Sequence, residues 1–265
     1  MGIPIKLKKG RENSIKEAVI SLFLSSPIIQ PARFGEILND QNIPGFFQSF
    51  ERVDQVSFSV ESVEGKLTNK ENNINNIGFK LLKFDKGQPE FVLQGINEGK
   101  RNFFSFHDLN YSRWANFIEN YSNLLKAIQR IQGEIFLAGI SLQYVDEFIW
   151  VEEGKIDLSK IMEAKDYLPQ NFIKIKSGHL INTREIESQN DIRCFDRIEV
   201  LLSSDIAKTV TISHNQNIHF KNLINLKEED TRNSIINELQ VLHNQNKAFL
   251  KDVLLGEVKT LIRLI

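Results

Sequence analysis

Alternating apolar and polar residues predict a series of short strands in the first part of the chain. The clearest alternation covers Ile15–Leu24 and Val53–Val63, and shorter runs follow at 77–85, 90–95 and 100–106. The connections are polar and rich in Asn, Gly and Pro, and the longest of them is predicted over residues 65–76. Short alternating strands joined in this way predict an antiparallel sheet with one buried side and one solvent-facing side.

Apolar residues spaced three and four positions apart predict two long helices. The first extends from about Tyr111 to Gln132, with Asn110 as its N-cap and Gly133 as its stop. The second extends from about Thr231 to the C-terminus, and a short helix is predicted over 32–40. Residues 103–150, which contain the first long helix, hold many aromatic residues but no nucleophile paired with a base.

The second part of the chain repeats this order of elements. Strands are predicted over 135–150, with a bend near Gly139, and over 172–180, 192–202 and 209–213. An irregular acidic linker is predicted over 151–169. The expected fold class is therefore α+β. It is a single domain over 1–265 with antiparallel sheets in two pseudo-equivalent halves, about 1–132 and 133–265, each followed by a long covering helix.

Composition restricts the class of protein. The 265 residues carry 33 Lys and Arg against 34 Asp and Glu, so the net charge of −1 predicts no general attraction to nucleic acid or to anionic lipid. A single cysteine, Cys194, excludes an internal disulfide, and no apolar run is long enough to span a membrane. No signal peptide is recognisable at the N-terminus. We therefore expect a soluble, cytoplasmic protein without a membrane association.

Candidate chemistry is sparse, because the common phosphate-loop, nucleophile-elbow and zinc motifs are absent. His214 and His219 are weak metal candidates: a tight turn over 215–218 would place their rings opposite each other across a hairpin, but no third ligand is fixed by spacing. Decoration of an Asn-rich turn is the favoured interpretation. His107 next to Asp108 resembles an oriented base, although neighbouring strand residues point to opposite faces. No cofactor is predicted.

Two further segments suggest partners. Apolar residues along the last helix recur near a seven-residue spacing, which indicates either a seam for a protein partner or second copy, or a helix lying on its own sheet. The end of that helix, Val258–Ile265, is apolar enough to need a cover. Basic residues near the N-terminus, from Lys6 to Arg11, could contact the phosphates of a nucleic acid, or form a solvated terminus.

Several short motifs, taken in order, resemble a sporadically distributed family of uncharacterised bacterial and archaeal proteins. They are an IKEAVI strand at 15–20, a Y-x-x-W-x-x-F helix start at 111–117, a strand similar to GLRYIN, and a C-terminal LH…F pattern at 242–249. The third motif is SLQYVD in this chain. Gln143 stands where the family has Arg, and Asp146 where it has Asn, whereas Tyr144 is retained.

This resemblance implies no reaction, cofactor or catalytic residue. The candidate binding residues lie at its motif positions: Tyr111, Trp114, Gln143, Tyr144 and His243. The helical spacing of Tyr111 and Trp114 with Phe117 favours packing in the core over lining a pocket. The favoured function is a non-enzymatic interaction or sensor protein that acts with a separately encoded partner, in antiphage defence or in a toxin–antitoxin-like pair. The alternatives are a metal-dependent hydrolase or nuclease with a dispersed site, and a nucleic-acid-binding protein.

Overall fold

The computed structural model describes residues 3–9, 13–43, 45–63, 66–99, 101–165, 168–175, 177–186, 192–204 and 207–264. Over 56–63 and 66–74 the backbone alone is described. Some residues of the predicted segments lie outside these ranges: Arg11 of the basic segment, Gly65 of the polar connection, Lys100 and Lys176 of two strands, Asp166 and Tyr167 of the linker, and Ile265 of the last helix.

Ten strands, four α-helices and two short 3-10 helices make up the described part of the chain. The strands are β1 (Ile5–Lys6), β2 (Ile15–Leu24), β3 (Ser49–Val63), β4 (Lys66–Asp85), β5 (Gln88–Glu98), β6 (Arg101–Asp108), β7 (Phe136–Trp150), β8 (Gly178–Ile186), β9 (Arg193–Ser203) and β10 (Thr209–Asn225). The α-helices are α1 (Trp114–Gln132), α2 (Gln170–Ile173), α3 (Glu229–Val253) and α4 (Gly256–Leu261); the 3-10 helices are Pro31–Asn39 and Leu158–Lys160.

All strands join one antiparallel sheet in the order β3-β4-β5-β6-β2-β7-β10-β9-β8, with β1 paired to the end of β7. The α+β class with antiparallel strands is therefore as predicted, but the strands form one continuous sheet rather than one sheet for each half. The centre of the sheet is the pair β2–β7, in which Ala18 lies opposite Tyr144. The edge strands of the sheet are β3 on the β2 side of this pair and β8 on the β7 side.

Buried apolar residues form two clusters. The first joins the inner side of β2, β4–β7 and the apolar face of α1 with the first part of α3, and includes Phe104, Tyr121 and Leu239. The second joins the ends of β7, β9 and β10 with the last turns of α3 and with α4, and includes Phe148 and Val253. Helix α3 therefore contributes to both clusters.

Three predicted strand boundaries are wrong. Residues 66–76, predicted as a polar connection, belong to β4, because their backbone pairs with β3 from Lys66 opposite Val63 onward, and ladder hydrogen bonds do not require apolar side chains. The strand predicted over 172–180 is the short helix α2 followed by β8. Strand β10 continues to Asn225, and polar residues at its inward positions, His214 and Gln216, hide its alternation.

The helix ends also differ from the prediction. Helix α1 begins at Trp114 with Arg113 at the N-cap position, because the Tyr111 carbonyl accepts a hydrogen bond from Asn13 Nδ2 (3.1 Å) and Asp108 accepts one from the Asn110 amide (3.0 Å). These bonds hold residues 108–113 outside the helix. Its end is as predicted, because Gly133 has φ +77°, a conformation that favours glycine.

The C-terminal helix stops at Val253, earlier than predicted. The next residue, Leu254, is extended and pairs with Met162, and the Leu255 amide donates to the Ile161 carbonyl (2.9 Å). Val258 is fully buried and Ile262 is 9 % exposed within the second cluster. The described part of the apolar C-terminal segment is thus covered by the chain itself and is not an open seam.

Candidate functional site

A cavity of about 290 Å³ opens where the two hydrophobic clusters meet. We call it the aromatic cavity. Its lining comes from the start of β2, the segment before α1, the middle of β7, the third quarter of α3 and the C-terminus: Asn13, Ser14, Ile15, Tyr111, Ser112, Arg113, Trp114, Tyr144, Asp146, His243, Asn246, Lys247, Leu250, Ile262, Arg263 and Leu264. Four of the five candidate binding residues, Tyr111, Trp114, Tyr144 and His243, therefore lie in one place.

Direct contacts hold these four side chains together. Tyr144 Oη lies 2.7 Å from His243 Nδ1, and the His243 ring stacks on Trp114 at 4.5 Å between centroids, with 6° between the planes. Tyr111 meets the Tyr144 ring edge-on at 5.5 Å. Trp114 Nε1 donates to Gln240 Oε1 (2.5 Å), which anchors the indole to α3. The aromatic groups form a continuous wall in which each ring contacts at least one neighbour.

Burial determines the protonation of this wall. Desolvation, together with the nearby charge of Lys247, lowers the pKa of His243 to about 4, so its imidazole is neutral at neutral pH. Desolvation likewise raises the pKa of Tyr111 to about 12. The pKa of Tyr144 is raised well above its ordinary value by desolvation and by Tyr111. The wall therefore offers uncharged hydroxyl and imidazole groups for hydrogen bonding.

Asp146 is the charged group inside the cavity, and its side chain is nearly inaccessible, with the residue 2 % exposed. Ser14 Oγ donates to its Oδ1 (2.5 Å), and among the described residues no lysine, arginine or histidine forms an ion pair with it. Desolvation consequently raises the pKa of Asp146 to about 6, with the Ser14 hydrogen bond opposing the shift. A buried carboxyl group without a cation is a costly arrangement, and such groups concentrate at functional sites.

The fifth candidate, Gln143, does not belong to the cavity. It precedes Tyr144 on β7 and so points to the other face of the sheet, where its Nε2 donates to Ser213 Oγ (2.7 Å). Asp146, Ser14 and Asn246 are cavity residues that sequence reasoning did not select. Asp146 interrupts the inward apolar positions of β7, between Tyr144 and Phe148, and this break in the alternation is a signal that points to it.

The two weak metal candidates are not brought together, because the predicted hairpin turn between them is part of the continuous strand β10. His214 is buried against α3, with Nδ1 2.9 Å from Asn246 Nδ2 and Nε2 in contact with Asp196. His219 is exposed and stacks near Phe23 on the other face. Within the described ranges, no group of three or more His, Cys, Asp or Glu residues is placed to hold a metal ion.

His107 belongs to a different polar cluster on the face of the sheet that carries Gln143. Its Nδ1 lies 2.7 Å from Glu17 Oε1 and its Nε2 lies 2.9 Å from Ser105 Oγ, whereas Asp108 points away. The order acid–histidine–serine matches that of a catalytic triad. Ser105, however, is 2 % exposed between paired strands, so a substrate cannot approach its hydroxyl. We assign this cluster to cross-strand stabilisation.

No family model, curated protein or solved structure matches this chain. None of the helices in the described residues has the length and apolar character needed to cross a membrane.

Proposed function

We propose that the protein is a non-enzymatic sensor that binds a small planar ligand in the aromatic cavity and acts through a partner protein. One observation carries the proposal: the buried Asp146 carboxyl, with Ser14 as its hydrogen-bond donor, faces a cavity lined by Tyr111, Trp114 and Tyr144. Small-molecule sites are typically apolar or aromatic concavities with a few polar groups that orient the ligand. This cavity has that composition.

The contacts of the lining groups favour binding over catalysis. His243, with a pKa of about 4, is a weak base and is held in contact with Tyr144. Burial brings the pKa of Asp146 to about 6, but its Oδ1 accepts a hydrogen bond from Ser14, so this carboxylate is already engaged as an acceptor. Ser14 donates to Asp146 without an intervening histidine, so it is not activated as a nucleophile. These groups suit the recognition of a ligand by hydrogen bonds.

The position of the cavity supports a sensor. We further propose that the two halves of the chain are equivalent units. Strand β2 of the first half and strand β7 of the second half lie side by side at the centre of the sheet. The strand that precedes each long helix pairs with the central strand of its own half, β6 with β2 and β10 with β7. The cavity lies at this junction, between the start of α1 and the middle of α3. A ligand bound there contacts both halves and can change how they pack.

Intrinsic fluorescence tests the binding proposal, because the chain has only two tryptophans. Trp150 is buried in the second cluster, away from the cavity, so Trp150→Phe leaves Trp114 as the reporter. We expect saturable quenching of Trp114 by at least one class in a panel of nucleobases, nucleotides and aromatic acids. Trp114→Phe, which keeps Trp150, should lose that response. If every compound fails to change the Trp114 signal and also fails to raise the melting temperature, the proposal is wrong.

The partner protein, and a role in antiphage defence or in a toxin–antitoxin-like pair, stay predictions from the sequence. Co-purification with the product of an adjacent gene tests them.

The alternative of a metal-dependent enzyme loses the geometry on which it depended, since His214 and His219 lie on opposite faces of β10. Nucleic-acid binding also stays a prediction; Lys6 of the basic segment pairs with Ile149 as part of β1.

A further inference from the structure

The aromatic cavity has opposite charge character at its mouth and at its floor. Arg113, Lys247 and Arg263 line it and are exposed, so they lie at the mouth. The buried floor holds Asp146, close to the hydroxyl groups of Tyr111 and Tyr144, whose pKa values it helps to raise. A ligand that fits both ends carries an anionic group outside and hydrogen-bond donors inside.

The floor specifies donors because the Asp146 carboxyl group is buried. Ser14 occupies one side of its Oδ1, and no other side-chain donor to this carboxyl is found among the described residues. A ligand that brings an N–H group to this carboxylate replaces the water that burial removes, whereas a ligand without donors leaves the carboxylate uncompensated. Ligands that bind through oxygen acceptors alone are therefore disfavoured.

The wall and the mouth specify the rest of the ligand. Trp114, Tyr111 and Tyr144 line the cavity with aromatic carbon, against which a planar group can pack. In the described part of the chain neither Arg113 nor Lys247 has an ion-pair partner, so both are available to an anion such as a phosphate. A volume of about 290 Å³ is at the lower limit for ligand sites, which suits one ring system with its sugar and excludes a dinucleotide.

We infer that the ligand of the aromatic cavity is a nucleoside monophosphate. Its base lies against the aromatic wall and donates an exocyclic amino group to Asp146, and its phosphate lies at the mouth between Arg113 and Lys247. This inference rests on the proposed function, because it names the ligand class of the same site. An aromatic amino acid or a neutral nucleoside would satisfy only part of this arrangement, and each is an arm of the test.

Calorimetric titration of the full chain at low salt compares AMP, CMP, GMP and UMP with their nucleosides and with tryptophan. We expect the amino-bearing monophosphates to bind about tenfold more tightly than their nucleosides, since a charge-assisted phosphate contact contributes roughly 1.4 kcal/mol or more. UMP has no amino group, and its one base N–H lies between two carbonyl oxygens that would face the Asp146 carboxylate, so it should bind more weakly than the other three. If nucleotide and nucleoside bind with equal affinity, the mouth of the cavity does not bind the phosphate and that part of the inference is wrong.

Two variants test the two ends separately. Lys247→Gln should weaken monophosphate binding about tenfold and weaken nucleoside binding far less, whereas Lys251→Gln, on the same helix but outside the lining, should change neither. Asp146→Asn should remove the preference for amino-bearing bases, because the amide also donates. If Asp146→Asn stays folded and keeps the preference of the original protein, Asp146 does not contact the base and the inference is wrong.

The outcomes separate this inference from the proposed function. Binding of tryptophan or a nucleoside at Trp114, without any gain from a phosphate, overturns the nucleotide and keeps the cavity as a binding site. Absence of any response from the whole panel overturns both.

Discussion

Asp146 and Asp196 are both 2 % exposed, yet they lie in opposite electrostatic environments. Asp196 accepts hydrogen bonds from Arg184 Nε (2.9 Å) and Nη2 (2.7 Å) and contacts His214 Nε2. Desolvation raises the pKa of Asp196, but the hydrogen bonds and charges of His214 and Arg184 outweigh it and lower the pKa overall. Asp146 has Ser14 and no cation among the described residues, and its pKa rises to about 6.

Partners, and not burial, therefore distinguish the two regions. The Asp196 cluster is a buried network in which charge is matched by charge, and it links β8, β9 and β10 to α3 through Asn246. The Asp146 cluster lies beside the aromatic cavity, and among the described residues no cation is paired with its carboxyl group. We expect the first to stabilise the fold and the second to reduce its stability in return for a binding site.

The largest expected effect comes from breaking the Asp196 network. Asp196→Ala removes the acceptor shared by His214, which is buried, and Arg184, whose side chain is 39 % exposed. Because solvent can compensate Arg184 in part, the free energy of unfolding should fall by about 3 kcal/mol, the lower end of the range for a broken buried pair. Urea denaturation at pH 7 measures it. Glu199→Gln on the same strand removes the more exposed contacts to His179 and Arg197 and should cost at most about 1 kcal/mol. Equal losses in the two variants would contradict the distinction.

Replacing Asp146 should raise the free energy of unfolding, whereas replacing Asp196 should lower it. Because its pKa is about 6 in the folded protein and about 3.8 when unfolded, ionisation disfavours the folded state, so its contribution is most favourable below pH 4 and is lost as pH rises through 6. Asp146→Asn should raise the free energy of unfolding by up to about 3 kcal/mol at pH 8 and have little effect at pH 4. Denaturation at several pH values measures this. A variant that is less stable at pH 8 than the original protein would contradict this, because the carboxylate would then have a stabilising partner besides Ser14.

A smaller effect is expected at the contact between Tyr144 and His243. Tyr144→Phe removes a buried hydrogen bond of 2.7 Å and should lower the free energy of unfolding by about 1 kcal/mol. A double-mutant cycle with His243→Leu isolates the pair, and most of the loss from Tyr144→Phe should disappear in the His243→Leu background. Full additivity of the two changes would mean that the hydroxyl is satisfied by another group.

The smallest effect is expected for Gln143, on the other face of the sheet. Gln143→Ala removes one hydrogen bond to Ser213 and should cost roughly 0.5–1 kcal/mol. Ligand binding in the aromatic cavity, followed by Trp114 fluorescence, should be unchanged. A clear loss of ligand affinity in this variant would return Gln143 to the list of site residues.

Several candidate residues were predicted from the sequence through its resemblance to a family, which is carried by the order and spacing of short motifs. Tyr111, Trp114, Tyr144 and His243 were selected from short motifs and lie together. Asp146 was noted only as a departure from a motif, and Ser14 and Asn246 carried no local signal. Their roles depend on contacts between residues far apart in sequence, such as Ser14 with Asp146, and no periodicity records such contacts.

By itself the sequence determined the α+β class, most strand and helix positions and the inward and outward faces, because side-chain periodicity follows directly from backbone geometry. It did not determine that the strands form a single sheet, that β10 passes straight through His214 and His219, or that α3 ends at Val253. Pairing with distant strands and segments decided these features. The tertiary structure also decided which buried aspartate is matched by cations, and so where this protein has a candidate binding site.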